Sequence, residues 1–308
     1  MKDEDPDGSD LNSHPTPVAE AIRKAEILLE ALDFIRAFRH RVVVIKLGGS
    51  VLEVEETLDA TLQDVVFMET VGLHPVLVHG GGKAITEACE KAGLKTQFVR
   101  GRRYTDDATL KIVADVLAGV INTDLVNRIE RLGGSALGLH HHTRSVLFGT
   151  KMSLVENGQS IDIGRVGEIT RVDTGPMLKL ASAGIIPVLP SIAVEEGTEN
   201  LLNVNADTVA AAVAERLNAE KLVFISDTPG ILRNADDPES LLPSLTEADC
   251  RNLMEQGVLS GGMIPKVEAC LSSLRAGVGK IHLVDGRVRH SLLLEIYTRH
   301  GVGTEIVL

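Results

Sequence analysis

Residues 42–50 read VVVIKLGGS: four β-branched residues, a lysine, a leucine, then two glycines and a serine. A run this apolar shows no polar alternation, so both of its faces need cover, as in a strand inside a mostly parallel sheet. The glycine pair ends the run and lets a ligand approach the backbone closely, with the lysine of the strand end beside it. The same pattern recurs as PVLVHGGGK at 75–83, IIPVLPS at 185–191, KLVFISD at 221–227 and KIHLVDG at 280–286. Helical stretches lie between, among them Ala108 to Leu132 and Ala206 to Leu217. Such alternation predicts an α/β fold, a three-layer αβα sandwich with a mostly parallel central sheet. Ligands in such sheets sit beyond the carboxyl ends of strands, where the glycine motifs fall.

Upstream of this core, Val18, Ile22, Ala25, Leu29, Leu32 and Ile35 recur at helical spacing after Thr16-Pro17. They predict an amphipathic helix within residues 16–40 whose stripe is covered by its own domain or by another subunit. Residues 1–15 are acidic and proline-bearing, which predicts a mobile tail. The 308 residues are 44% hydrophobic, enough for a large core. A net charge of −12 and only 3% aromatics argue against nucleic acid as a partner. Cys89, Cys250 and Cys270 are scattered and predict reduced thiols, with no disulfide or zinc framework. With no membrane-length apolar run and no secretory signal in MKDEDPDGSD, the expectation is a cytoplasmic protein without a membrane partner.

Five motifs carry chemistry. Beside Lys46-Leu47-Gly48-Gly49 stands His79-Gly80-Gly81-Gly82-Lys83, again at a strand end and before a helix. Three glycines in a row are entropically costly for a mere turn, whereas free amides at a helix start suit an anion. Asn203-Val204-Asn205-Ala206-Asp207 exceeds what one helix cap requires, and its aspartate could orient lysines. Ser226-Asp227-Thr228-Pro229-Gly230 offers a carboxylate at a turn, and Ser260-Gly261-Gly262-Met263-Ile264-Pro265-Lys266 brings a second lysine to glycines. GxxxxGK[ST] and GxGxxG are both missing, so neither the Walker nor the Rossmann fingerprint applies. Two glycine clusters on two strands suggest a phosphoryl group held between them.

In this order the motifs resemble the amino-acid kinase family, from about Val42 to the C-terminus. Within it they resemble the branch that phosphorylates the side-chain carboxylate of N-acetyl-L-glutamate and is feedback-inhibited by L-arginine. Gly101-Arg102-Arg103-Tyr104-Thr105-Asp106, Gly164-Arg165-Val166-Gly167-Glu168 and Leu294-Glu295-Ile296 add to the likeness.

The resemblance implies ATP and Mg²⁺, with Lys46 and Lys266 stabilising the transferring phosphoryl group and Asp207 organising them. It implies that Gly48 and Gly49 contact phosphate, that Gly81, Gly82, Arg103 and Asn203 hold the acceptor, and that Asp227, Gly230 and Ser260 belong to the nucleotide pocket. No protein-borne metal site is expected. His282, Glu295 and Gly301 match positions that bind L-arginine. The implied organisation is an acceptor lobe at 41–200, a nucleotide lobe with a C-terminal effector segment at 201–308, and a homohexamer (a trimer of dimers) or a homodimer. Alternatives are the acetylaminoadipate, carbamate, aspartate and uridylate kinases, or an amino-acid sensor with a dead site. This chain departs from the family pattern at Gly138-Leu139-His140-His141-His142-Thr143-Arg144, beside the acceptor lobe. It departs again at Arg102, where the family carries an apolar residue.

Overall fold

Alternate residues of the strand Val42–Leu47 feed two different cores, and this layering organises the molecule. Val44 packs into one core with Val209, Val213 and Val267, from helices Ala206–Leu217 and Met263–Arg275. Val43, Ile45 and Leu47 pack into the other with Leu62, Leu125 and Leu292, from helices Glu55–Thr70, Asn122–Arg131 and Ser291–Tyr297. The computed structural model describes residues 16–156, 159–234, 236–259, 263–298 and 301–308. The tail expected at 1–15 and the nucleotide residue expected at Ser260 lie outside them.

The main sheet has eight strands. In spatial order they are Ser244–Thr246, Thr304–Val307, Lys280–Asp285, Lys221–Ser226, Val42–Leu47, His74–His79, Ile186–Pro190 and Ala136–Gly138. Neighbours run parallel except where Thr304–Val307 meets Lys280–Asp285. The expected αβα sandwich with a mostly parallel sheet is the observed one. Register then places the loops. Leu47 pairs with Ile225 on one side and His79 on the other, so the turns after all three strands emerge at one edge.

A second sheet consists of Leu201–Asn203, Ile192–Glu195, Leu147–Lys151 and Gly167–Val172. A short hairpin, Phe98–Val99 with Arg102–Arg103, arches beside it. The helix expected over 108–132 spans 107–131, but its middle, Asp115–Ile121, is π-helical. Leu117 and Ile121 of that segment close on Gly81, where an added Cβ would lie 2.9 and 2.4 Å from their methyl carbons.

The N-terminal helix spans Pro17–Phe38, with Thr16 accepting from the amide of Ala19 and Pro17 in the first turn. Only its end docks, through Phe34, Ile35 and Phe38. Val18, Ile22, Leu28 and Leu29 are more than half exposed, at 69, 54, 70 and 65%. Among the described residues no helix is long and apolar enough to cross a membrane.

Candidate active site

Lys46 leaves the centre of the sheet and meets Asp207, in the first turn of the helix Ala206–Leu217, at 2.8 Å. Asn205 sets that turn: its Oδ1 accepts from the amides of Asp207 and Thr208 at 2.9 and 3.0 Å. The ammonium reaches Asp207 Oδ1 as an ion pair without a directed hydrogen bond, so this buried oxygen retains unused accepting capacity. Gly48 is required beside it, since a Cβ there would sit 2.6 Å from the carbonyl oxygen of Ile225. Gly49 starts the next helix, where an added Cβ would meet only the Glu53 carboxylate, at 4.0 Å.

The glycine loop Gly80–Gly82 is tied down from behind by His79, which the motif contained without an assigned role, and by Asn122, which motif reading missed. His79 is fully buried and lies 3.0 Å from the carbonyl oxygen of Gly80 through Nδ1 and 3.0 Å from Asn122 Nδ2 through Nε2. A carbonyl only accepts and an amide nitrogen only donates, so the ring is neutral with its proton on Nδ1. Burial drives the His79 pKa down to about 4, with His140 nearby adding to the effect. Asn122 also donates to the carbonyl of Val188 at 3.0 Å, linking two neighbouring strands. A lone asparagine inside a helix gave no sequence signal for this role.

Arg103 is buried, donating to the carbonyl of Gly82 and to Thr86 at 2.8 Å, and to Thr96 at 3.2 Å. Phe98 lies under its guanidinium, 4.9 Å to the ring centre. Thr105, also unanticipated, donates to the carbonyl of Arg103 at 2.9 Å and accepts from Asn203 Nδ2 at 3.1 Å. This hydroxyl, 98 positions from Asn203 in sequence, therefore fixes Arg103 relative to that asparagine.

Lys46, Gly49, Gly81, Gly82, Arg103 and Asn203 line one cavity of about 240 Å³. Asp207 and Lys266 line an adjoining cavity of about 490 Å³. Asp227 and Gly230 border neither. Asp227 is exposed past the strand Lys221–Ser226, and Gly230 (φ +124°) packs against Thr304 of the last strand. The histidine turn 140–142 stays out of the 240 Å³ cavity, packing ring against ring with 3.9 Å between the centres of His141 and His142. Lysines, free amides and an arginine around joined cavities suit the transfer of an anionic group between two anionic ligands.

A third cavity of about 510 Å³ lies at the opposite, amino-terminal ends of the strands, closed by Phe34 and Phe38. It gathers His282, Glu295 and Gly301 with Lys221, Lys280 and Glu305, three residues that motif reading missed although two lysines opening buried strands were visible. His282 Nδ1 donates to Glu295 at 2.7 Å and its Nε2 accepts from Lys221 at 3.0 Å. Burial depresses the pKa values of both His282 and Lys221. Burial alone would raise that of Glu295, but His282 and the amides of Val302 and Gly303 hold it below the usual range.

The sequence pattern described as the amino acid kinase family matches residues 41–285. An acetylglutamate kinase of Heliobacterium modesticaldum is 44% identical over 94% of this chain and 99% of its own. One from Methanocaldococcus jannaschii is 45% identical over 93 and 97%. Among solved structures, the N-acetylglutamate synthase of Neisseria gonorrhoeae complexed with coenzyme A and N-acetyl-glutamate superposes with a TM-score of 0.80 at 25% identity. The match covers 92% of this chain, which spans 63% of that longer one. With its motifs on one sheet edge and its relatives matched nearly end to end, the chain is a phosphotransferase and belongs to the amino acid kinase family.

Proposed function

We propose that this kinase transfers the γ-phosphoryl group of ATP to the side-chain carboxylate of N-acetyl-L-glutamate in the cytoplasm. The observation that carries this reading is the Lys46–Asp207 pair, set where two glycine loops meet between an acceptor-sized cavity and a second one containing Lys266. A carboxylate nucleophile is already ionised at neutral pH, so no general base is needed. What remains is alignment and neutralisation of charge on the transferring group. Lys46 and Lys266 supply the charge, Asp207 orients them, and the amides of Gly48, Gly49, Gly81 and Gly82 receive oxygens. Arg103 and Asn203 hold the α-carboxylate end of the acceptor. Asp227, Gly230 and Ser260 are assigned to the nucleotide.

Mg²⁺ enters in this reading on the phosphate oxygens of the nucleotide. The lobes 41–200 and 201–308 serve acceptor and nucleotide respectively. L-arginine is the proposed effector at His282, Glu295 and Gly301, and the N-terminal helix the proposed joint of a homohexamer or a homodimer. The paired carboxylates and buried lysine of the 510 Å³ cavity support an amino-acid ligand there.

The deciding experiment measures ADP release with Mg-ATP and, in turn, N-acetylglutamate, acetylaminoadipate, aspartate, carbamate and UMP. N-acetylglutamate is expected to give the highest rate by far. A higher rate with another acceptor overturns the substrate, and silence with all five favours a sensor.

A further inference from the structure

Arg102 sits where the two cavities of the site adjoin. It lines the acceptor cavity and also the neighbouring cavity of Asp207 and Lys266; only Asn205 among the described residues does the same. Asn205 is neutral, and its side-chain oxygen is committed to capping the helix Ala206–Leu217. Arg102 is thus the one charged side chain bordering both spaces.

The hairpin explains how it comes to stand there. Arg100 and Gly101 turn the chain through left-handed conformations, φ +49° and +75°. Phe98 pairs with Arg103 and Val99 with Arg102, so the two arginines leave opposite faces of the ribbon. Arg103 turns back to Gly82, Thr86 and Thr96, while Arg102 borders the cavity that holds Asp207 and Lys266.

Of the other cations lining these cavities, Lys46 is paired with Asp207 and Arg103 is bonded to Gly82, Thr86 and Thr96, while Lys266, like Arg102, makes no ion pair among the described residues. The side chain of half-buried Arg102 makes no hydrogen bond, ion pair or ring contact among the described residues. In a chain of net charge −12, an uncommitted guanidinium between two lysine-bearing cavities is matched to an anion that arrives from outside.

We propose that Arg102 is a third cation of the phosphoryl transfer, reaching from the acceptor side to the terminal phosphate oxygens of the donor where they cross between the cavities. This rests on the kinase reading above. The fork of the guanidinium can take two phosphate oxygens at once, which a lysine cannot.

The test compares Arg102→Leu and Arg102→Lys with the unaltered chain. Turnover is measured with Mg-ATP and N-acetylglutamate, and binding of AMP-PNP and of AMP by calorimetry. Leu is expected to lower kcat about tenfold or more and to weaken AMP-PNP about tenfold, while AMP and the KM of the acceptor stay within about twofold. Lys is expected to recover part of both losses. Wild-type values within about twofold for Arg102→Leu in every measurement overturn the proposal. A rise in acceptor KM alone assigns Arg102 to the acceptor instead, and equal losses for AMP and AMP-PNP reduce it to a structural part. If N-acetylglutamate proves not to be the acceptor, the AMP-PNP to AMP ratio still reads Arg102 by itself.

Discussion

At the scale of single residues, charge and burial decide what each group can do. Lys46→Ala, Lys266→Ala and Asp207→Ala should each lower kcat by about two powers of ten, because each removes a partner of developing charge. Arg103→Ala should instead raise mainly the KM of the acceptor. Steady-state kinetics on the four variants separates the two classes, and a normal kcat in both lysine variants would remove the mechanism. His79 yields a prediction on stability. Its folded pKa of about 4 lies below the ordinary 6.5, so the folded state binds its proton more weakly than the unfolded chain does. Its contribution is therefore complete above about pH 6.5 and is lost as pH falls toward about 4. At about 1.4 kcal/mol per pH unit this is worth about 3 kcal/mol in full, roughly 2 of it between pH 7.5 and 5. Urea unfolding at those two pH values should show a smaller drop for His79→Gln; equal drops would mean that the ring is not held neutral. Lys46, Gly48 and Asp207 were legible because strand ends and helix starts announce themselves locally. Asn122 was not, since its partner is 43 positions away on another element.

Elements were legible where their pattern was long. The N-terminal helix was expected within 16–40 and spans Pro17–Phe38, and the five apolar runs are all strands of the main sheet. The four strands of the second sheet escaped because they have only three to six residues and are partly exposed, so no apolar run marks them. The π-helical turn at 115–121 escaped for another reason: it lies where Leu117 and Ile121 approach Gly81, a tertiary contact that no local pattern encodes. The exposed stripe of the first helix leads to a prediction at this scale. An apolar face left in water is unfavourable by roughly 25 cal/mol per Å², so the helix should bury Val18, Ile22 and Leu29 against another copy. A chain starting at Arg39 should show a smaller particle mass by light scattering while keeping its kinase rate. An unchanged mass would take the helix out of the assembly.

At the scale of the whole molecule, the cavities of about 240 and 510 Å³, proposed for catalysis and for an effector, lie at opposite ends of the same strands. Lys221 opens a strand of six residues whose far end reaches the glycine turns, about 17 Å away at about 3.3 Å per residue. Arginine bound at one end can affect catalysis only by favouring one arrangement of that shared sheet. Linkage then requires that bound AMP-PNP and acceptor weaken arginine by the same factor by which arginine weakens them. Calorimetry of arginine with and without these ligands checks the equality, and Glu295→Ala should abolish inhibition with turnover retained. Equal turnover with and without millimolar arginine in the intact chain would rule out the effector role. The same sheet has a consequence for how the protein is made. The central strand Val42–Leu47 pairs on one side with His74–His79, soon after it leaves the ribosome, and on the other with Lys221–Ser226. At about 5–20 residues per second, roughly 180 residues of synthesis keep that second edge waiting for on the order of ten seconds or more. Until then Val43, Val44 and Ile45 present an open apolar edge of the kind that chaperones cover and aggregates extend. Nascent chains stalled before residue 221 should therefore be the insoluble ones.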